Sequence, residues 1–314
     1  MDYLFWVGCA GAYEDRAKKT TRAVAELLHI AGVSFAVLGD AEACTGDPAR
    51  RAGNEILFQT LAAQNIETLA EARATRIVVT CAHCFNTLAR EYPQAGGDYQ
   101  VVHHTQLLNT LVREGRLRPV APGALAPSAA RADHAQVRPG EGRGGPGRTT
   151  AQADGTPALG TGEGEAPAGA QPAPPQPAPS MPALSKLAPP RPAPPEPAPA
   201  DAPTVTYHDA CYLGRHNRVY SPPRELIEAT GATTIEMPRS REEGFCCGAG
   251  GAHAFMEESI GTRIAVERSR EALGTGARVI ATACPFCTTM LSDGVASEGA
   301  GVMIRRTYGD WPAE

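Results

Sequence analysis

The 314-residue sequence predicts an α/β fold: two pseudo-repeated lobes of parallel strands and helices, joined by a long disordered linker rich in proline and alanine. Three observations predict it. Apolar strand-like segments alternate with helical segments in both flanks, cysteines recur at matching positions in the two flanks, and a stretch of low complexity separates them. The predicted boundaries are residues 1–117 for the first lobe, 118–203 for the linker and 204–314 for the second lobe.

Both lobes follow one order of elements. Each opens with an apolar strand, YLFWVG or TVTYHD, and then has a cysteine. A helical stretch, a second strand (SFAVLG or TTIEMP), a cysteine–x–glycine and a long helix come next. The third strand, TRIVVT or RVIATA, leads directly into a CxxC motif, and a short helix and the strands YQVVHH and GVMIRR close the lobes. Such alternation predicts a parallel sheet in each lobe.

The spacing of the cysteines supports the repeat. The first two cysteine positions are 35 residues apart in both lobes, and the next interval is 37 residues in one lobe and 38 in the other. Loops at the carboxyl ends of parallel strands gather at one edge of a sheet, so the sulfurs of each lobe are expected to converge. The candidate ligands are Cys9, Cys44, Cys81 and Cys84 in the first lobe, and Cys211, Cys246, Cys247, Cys284 and Cys287 in the second.

The segment 118–203 differs from both flanks. It holds 21 of the chain's 28 prolines and no aromatic residue or cysteine. Proline removes backbone donors and alanine offers little apolar area to offset ordering entropy, so a disordered, partly polyproline II tether is expected. A docking motif for a partner is the less favoured alternative.

Composition excludes several classes of protein. A net charge of −5 and a pI near 5.9 argue against a nucleic-acid-binding surface. No run of eighteen apolar residues appears, so we expect no transmembrane segment in this chain, and the N-terminus does not resemble a secretory signal. A cytoplasmic location is therefore expected, where clustered cysteines indicate metal binding or catalysis rather than disulfides.

Two kinds of metal site could employ these sulfurs. Zinc accepts four thiolates, but five cysteines exceed what one zinc needs, and the ligands here come from three strand ends of a lobe with its own core. An iron–sulfur cluster has several irons, each of which binds a thiolate from the protein. We therefore favour an iron–sulfur cluster over zinc. In FCCGAGG, Gly248, Gly250 and Gly251 would let backbone N–H groups approach a negative cluster. Both CxxC pairs start a helix, which also favours negative charge.

The motifs VGCAGAYEDRAKKTTRA, EACTGDPARRAGNE, YHDACYLGRHN, FCCGAGGAHAFM and ATACPFCTTML resemble those of the cysteine-rich CCG family, whose best-known member belongs to heterodisulfide reductase. They look most like the C-terminal part of membrane-associated iron–sulfur oxidoreductases that accept electrons from electron-transfer flavoprotein. The resemblance implies a noncubane 4Fe-4S cluster on the five second-lobe cysteines. In the first lobe Thr45 replaces one cysteine, which implies a four-cysteine cubane 4Fe-4S cluster there.

The function that the resemblance implies is electron relay in an oxidoreductase. Electrons would come from a flavoprotein or dehydrogenase partner and leave toward a quinone-reducing membrane module, which would hold the chain at the cytoplasmic face of the membrane. Two alternatives stay open: a cluster-based disulfide reductase and a zinc-stabilised scaffold. His83, His208 and His216 lie next to the cysteines and could donate hydrogen bonds to a cluster or serve only as loop residues.

Overall fold

The computed structural model describes residues 1–119 and 202–306. The predicted linker, residues 118–203, therefore lies almost entirely outside the described residues. The two lobes pack together in one compact unit.

The first lobe is built around four parallel strands in the order β2-β1-β3-β4. Its helices join consecutive strands and begin or end close to the cysteine loops. Its elements are β1 (Tyr3–Trp6), α1 (Gly8–Tyr13), α2 (Asp15–Ile30), β2 (Phe35–Ala36), α3 (Asp47–Arg51), α4 (Glu55–Glu71), β3 (Arg76–Val79), α5 (Ala82–Asn86), β4 (Gln100–His103) and α6 (His104–Arg113).

The second lobe repeats this topology with four parallel strands in the order β6-β5-β7-β8. Its elements are β5 (Thr204–His208), α7 (Ser221–Ala229), β6 (Thr233–Thr234), α8 (Ile264–Gly274), β7 (Val279–Thr282), α9 (Pro285–Ser297) and β8 (Met303–Arg306). The predicted fold class, two repeated parallel α/β lobes, is confirmed.

The central strands of both sheets are buried because helices cover both faces, as parallel sheets require. Leu4, Phe5 and Trp6 of β1 are each 1% exposed, and all four residues of β7 are buried. These apolar runs are the strands that the sequence predicts most clearly.

Two elements differ from the sequence prediction. The second strands, β2 and β6, are only two residues long, and each pairs with one neighbour. The residues after Cys211 form turns rather than a helix, and α7 begins only at Ser221. The amide of His216 donates to the carbonyl of Cys211 within these turns.

Several hydrogen bonds join the lobes. His103 Nε2 donates to the carbonyl of Ala283 at 3.1 Å, and Arg90 Nε donates to Asn217 Oδ1 at 3.0 Å. Asn109 of α6 donates to Glu225 of α7 at 2.7 Å. These contacts bring the carboxyl ends of β4 and β7 together. Among the helices in the described ranges, none is both long and apolar enough to cross a membrane.

Candidate metal centre

The first lobe brings its four cysteines to one cleft. Cys9 lies in α1 just after β1, Cys44 precedes α3, and Cys81 and Cys84 follow β3 at the start of α5. All four line one cleft together with Thr45, His83 and, from the second lobe, Phe286. The four first-lobe cysteines therefore lie together at this edge of the sheet, as their positions after the strands led us to expect.

The five sulfurs of the second lobe lie next to one another in a sequence of contacts. Cys246 hydrogen-bonds with both Cys211 and Cys247, and the sulfurs of Cys247 and Cys287 are 3.3 Å apart. Cys287 in turn hydrogen-bonds with Cys284. The sulfurs therefore form an unbroken row from the start of the lobe to its CxxC motif.

The two groups of sulfurs meet at the lobe interface. Cys81 hydrogen-bonds both with Cys84 in its own CxxC motif and with Cys284 in the other. Both Cys81 and Cys284 are buried. The row of sulfurs therefore continues from the second lobe into the first without leaving the protein interior.

Protonation of the thiols is uneven because neighbouring thiols share protons. A hydrogen bond from Cys9 lowers the pKa of Cys44 to about 6, and hydrogen bonds from Cys211 and Cys247 lower the pKa of Cys246 to about 2. Burial raises the pKa of Cys284, but hydrogen bonds from Cys287 and Cys81 outweigh it and the net shift is downward.

The donor thiols show the opposite shift. Their hydrogen bonds to Cys44 and Cys246 raise the pKa of Cys9 and of Cys211, and burial adds to the effect. Deprotonating every thiol would place several negative charges side by side in a poorly hydrated space. Only cations can relieve that repulsion, so the donor set fits a thiolate-ligated metal group.

Backbone donors face the same sulfurs in both lobes. Gly46 N donates to Cys44 Sγ at 3.5 Å and Gly248 N donates to Cys246 Sγ at 3.3 Å. Both glycines have left-handed backbone, with φ of +84° and +92°, which other residues rarely adopt. The predicted approach of N–H groups is found at Gly248, whereas Gly251 is exposed.

The two CxxC motifs also occupy equivalent helix starts. Cys81 is the N-terminal cap residue of α5 and Cys284 that of α9. Their second cysteines, Cys84 and Cys287, lie in the first turns, where unpaired backbone N–H groups favour negative charge.

Thr45 of the first lobe occupies the position in the repeat that is equivalent to Cys247 of the second lobe. Thr45 is 2% exposed and Cys247 is 3% exposed, and both precede the left-handed glycine. Tyr92 holds this loop in the first lobe: its hydroxyl donates to the carbonyl of Thr45 at 3.1 Å and accepts from Asn65. The first lobe therefore offers four sulfurs where the second offers five.

The three candidate histidines lie in different surroundings. His83 Nδ1 donates a 2.7 Å hydrogen bond to Asp47 Oδ2, and the His83 ring packs against Tyr212 and Phe286 of the second lobe. A ring nitrogen of His208 lies within 4.8 Å of the sulfurs of Cys247 and Cys287. His216 packs on Tyr212.

Sequence reasoning missed several residues at these sites. The cysteine spacing does not point to Trp6 or to Arg268. It also does not predict the contact between Cys81 and Cys284. The strand repeat carries a signal for Trp6, because it stands three positions before Cys9, as His208 stands three positions before Cys211. The other two depend on packing between segments far apart in sequence.

The model of the CCG cysteine-rich domain matches twice, over residues 3–89 and 205–292. These two matches cover more than half of the chain. The chain belongs to the CCG cysteine-rich domain family. The matched ranges contain all nine cysteines, and the resemblance predicted from the motifs is confirmed.

Relatives of this CCG-family chain include iron–sulfur oxidoreductases. It is 36% identical over 309 residues to a probable iron–sulfur-binding oxidoreductase, FadF, of Bacillus subtilis, covering 98% of this chain and 33% of that protein. It is 34% identical over 307 residues to the EtfAB:quinone oxidoreductase of Syntrophomonas wolfei, covering 96% and 32%. The chain thus spans about a third of the length of these relatives.

A more distant relative is one of the chains of the dihydromethanophenazine:CoB–CoM heterodisulfide reductase of Methanosarcina barkeri. It is 25% identical over 300 residues, which cover 93% of this chain and 54% of that relative. The relatives support iron–sulfur clusters as the group that this CCG-family chain binds.

Proposed function

We propose that this chain is the two-cluster electron-transfer part of an iron–sulfur oxidoreductase. Cys9, Cys44, Cys81 and Cys84 would bind one four-iron cluster, cubane in type. The second-lobe cysteines would bind a noncubane four-iron cluster, the five being Cys211, Cys246, Cys247, Cys284 and Cys287. The predicted lobe boundaries, 1–117 and 204–314, assign one cluster to each lobe.

The observation that carries this proposal is the continuous row of sulfurs across the lobe interface. The contact between Cys81 and Cys284 brings a ligand of one site against a ligand of the other. Iron–sulfur clusters, when bound, accept and release single electrons. Two such sites in contact inside one compact unit suit electron transfer between them better than they suit two independent structural metals.

The protein's own groups would prepare each site for a negative cluster. Gly46 and Gly248 donate backbone N–H groups to sulfur, and the starts of α5 and α9 add further unpaired donors. Burial of Cys81, Cys247, Cys284 and Cys287 excludes water. The exposed Cys9 marks the side of the first site that is open to an electron-transfer partner.

The partners belong to the same proposal. A relative is named EtfAB:quinone oxidoreductase, which supports electron-transfer flavoprotein, or another flavoprotein or dehydrogenase, as the donor and a quinone-reducing membrane module as the acceptor. Another relative, from Chromohalobacter salexigens, is a probable membrane-anchored ferredoxin. That name supports association of the chain with the membrane through a partner.

Metal analysis of the full chain purified without oxygen tests the proposal. We expect about eight irons and a similar amount of acid-labile sulfide per chain, from two four-iron clusters. We further expect reduced protein to be reoxidised by a soluble quinone. Zinc in place of iron would support the scaffold alternative and contradict the proposal.

A disulfide reductase is the second candidate, favoured by the similarity to a heterodisulfide reductase chain and by the complete five-cysteine set of the second lobe. The two candidates differ in what reoxidises the reduced protein. Turnover with a disulfide and none with a quinone would favour this second function.

A further inference from the structure

Both lobes bury a ring N–H donor at the same place in the repeat. Trp6 ends β1 and His208 ends β5, each three residues before the first cysteine of its lobe. Trp6 is 1% exposed and His208 is fully buried. Within residues 1–119 and 202–306, Trp6 Nε1 and His208 Nε2 have no hydrogen-bond partner. An unpaired buried donor is destabilising because it has lost its hydrogen bonds to water, so its repetition in both lobes points to a shared ligand.

The His208 ring lies among the second-lobe sulfurs. One of its nitrogens is within 4.8 Å of Cys247 Sγ and Cys287 Sγ, and Cys246 and Cys284 also act electrostatically on it. Another donor of this region that lacks a partner within the described ranges is Nη2 of the fully buried Arg268. An unpaired donor on a ring that lies beside these sulfurs fits an acceptor that carries negative charge.

Trp6 lies beside the first-lobe site in the same way. A side chain at Gly8 would meet Cys84 Sγ at 3.4 Å and the Cδ1 atom of Trp6 at 3.9 Å. Both atoms therefore border the same small space beside Gly8. An indole nitrogen can donate a hydrogen bond but cannot bind a metal in its neutral form.

Arg268 determines which nitrogen of His208 carries the proton. Its Nε donates to His208 Nδ1 at 3.1 Å, and a guanidinium can only donate. Nδ1 is therefore the acceptor, and the proton of the neutral ring is on Nε2. Glu271 holds Arg268 in place through a 2.8 Å hydrogen bond to Nη1.

We infer that Trp6 and His208 are equivalent hydrogen-bond donors to the sulfurs of the first and second cluster sites, with His208 held in its Nε2–H form by Arg268. The inference rests on the proposed function, because it requires clusters. A donor to sulfur stabilises the reduced, more negative state of a cluster and so raises its reduction potential. Neither residue is a ligand in this arrangement, since Trp6 Nε1 and His208 Nε2 each carry a proton and can only donate.

Three variants of the full chain, compared with the unchanged protein, test this: Trp6→Phe, His208→Phe and His208→Gln. Phenylalanine keeps an aromatic ring and removes the donor, whereas glutamine can restore an N–H at a similar reach. Each protein is assayed for iron, and the midpoint potential of each cluster is measured by redox titration followed by electron paramagnetic resonance.

We expect His208→Phe to lower the reduction potential of the second-lobe cluster and leave that of the first-lobe cluster unchanged. Trp6→Phe should lower the potential of the first-lobe cluster and leave that of the second-lobe cluster unchanged. Iron content should stay the same in both, and His208→Gln should recover part of the potential shift. A structural role alone would change stability without this lobe-specific pattern.

Unchanged potentials in both phenylalanine variants, with iron retained, would overturn the inference and leave the proposed function intact. Loss of second-lobe iron in both His208→Phe and His208→Gln would make His208 a ligand, which also overturns it. Absence of iron from the unchanged protein would instead refute the proposed function.

Discussion

At the scale of single residues, one position distinguishes the two proposed metal sites. Thr45 and Cys247 have the same burial and the same left-handed glycine after them, yet only Cys247 adds a sulfur to its site. That sulfur lies 3.3 Å from Cys287 Sγ. In the proposed clusters, the adjacent cysteines of FCCGAGG would serve different metal atoms, while CTG of the first lobe would offer one ligand.

Copying the first-lobe motif into the second should convert one site toward the other. Cys247→Thr leaves Cys211, Cys246, Cys284 and Cys287, and four thiolates suffice for a cubane cluster. We expect this variant to retain about eight irons per chain but to change the paramagnetic resonance spectrum and potential of the second-lobe cluster.

Cys284→Ser is the matched control. Cys284 caps α9 and contacts both Cys287 and Cys81, so either cluster type needs it. We expect iron to fall by one cluster's worth and the second lobe to unfold more easily, because metal-binding energy contributes to folding. Equal loss of iron in Cys247→Thr would contradict the four-ligand alternative.

At the scale of elements, the packing of α8 on α9 fixes where the second CxxC motif lies. Gly294 of α9 lies against α8, and a Cβ atom there would meet the carbonyl oxygen of Ala265 at 2.5 Å and also Ser269 Oγ. Ser269 Oγ donates to the carbonyl of Leu291 across the same interface. Only glycine permits this close approach of the two helices.

Gly294→Ala should therefore destabilise the protein although alanine favours helix. The contacted atoms include the backbone of Ala265, which cannot move aside without shifting α8. We expect a loss of roughly 1–3 kcal/mol in unfolding free energy, measured by urea unfolding of the iron-loaded full chain.

Gly274→Ala, at the exposed end of α8 with nothing within 4 Å of its Cβ, provides the comparison. It should be neutral or stabilising by up to about 1 kcal/mol. Equal stability of the two variants would show that α8 and α9 can separate without cost.

The sequence predicted the elements unevenly, for physical reasons. The central strands β1, β3 and β7 consist largely of apolar residues because both of their faces are buried, and the CxxC motifs mark the ends of β3 and β7. The edge strands β2 and β6 are shorter than SFAVLG and TTIEMP suggest. The point where the chain turns away from its neighbouring strand depends on tertiary packing, and composition does not mark that point.

At the scale of the whole molecule, the important feature is that the two lobes share an interior. His103 of β4 donates to Ala283, directly before Cys284, and burial lowers the pKa of His103 to about 4, which favours the neutral ring. The cysteine repeat predicts two sites, but it cannot predict that Cys81 and Cys284 touch. That contact depends on the docking of surfaces that have no shared sequence pattern.

Docking of this kind bears on the role of the segment between the lobes. Hydrogen bonds such as those from Asn109 to Glu225 and from Arg90 to Asn217 hold the lobes together independently of their covalent connection. Loop closure costs little even for long connections, about 2 kcal/mol more for roughly 86 residues than for roughly 10. We therefore hypothesise that residues 118–203 are dispensable for cluster binding.

Replacing residues 118–203 with a Gly/Ser loop of about 20 residues, with an average reach of about 25 Å, tests this hypothesis. Iron content and both cluster signals should match those of the unchanged chain, because every proposed ligand and every inter-lobe hydrogen bond described above lies outside the replaced segment. A Gly/Ser segment of the original length controls for reach. If the short loop loses one cluster and the long one keeps both, the span of the connection matters. If both lose iron, the segment itself takes part in building the sites, and the interface between the lobes is not sufficient to hold them.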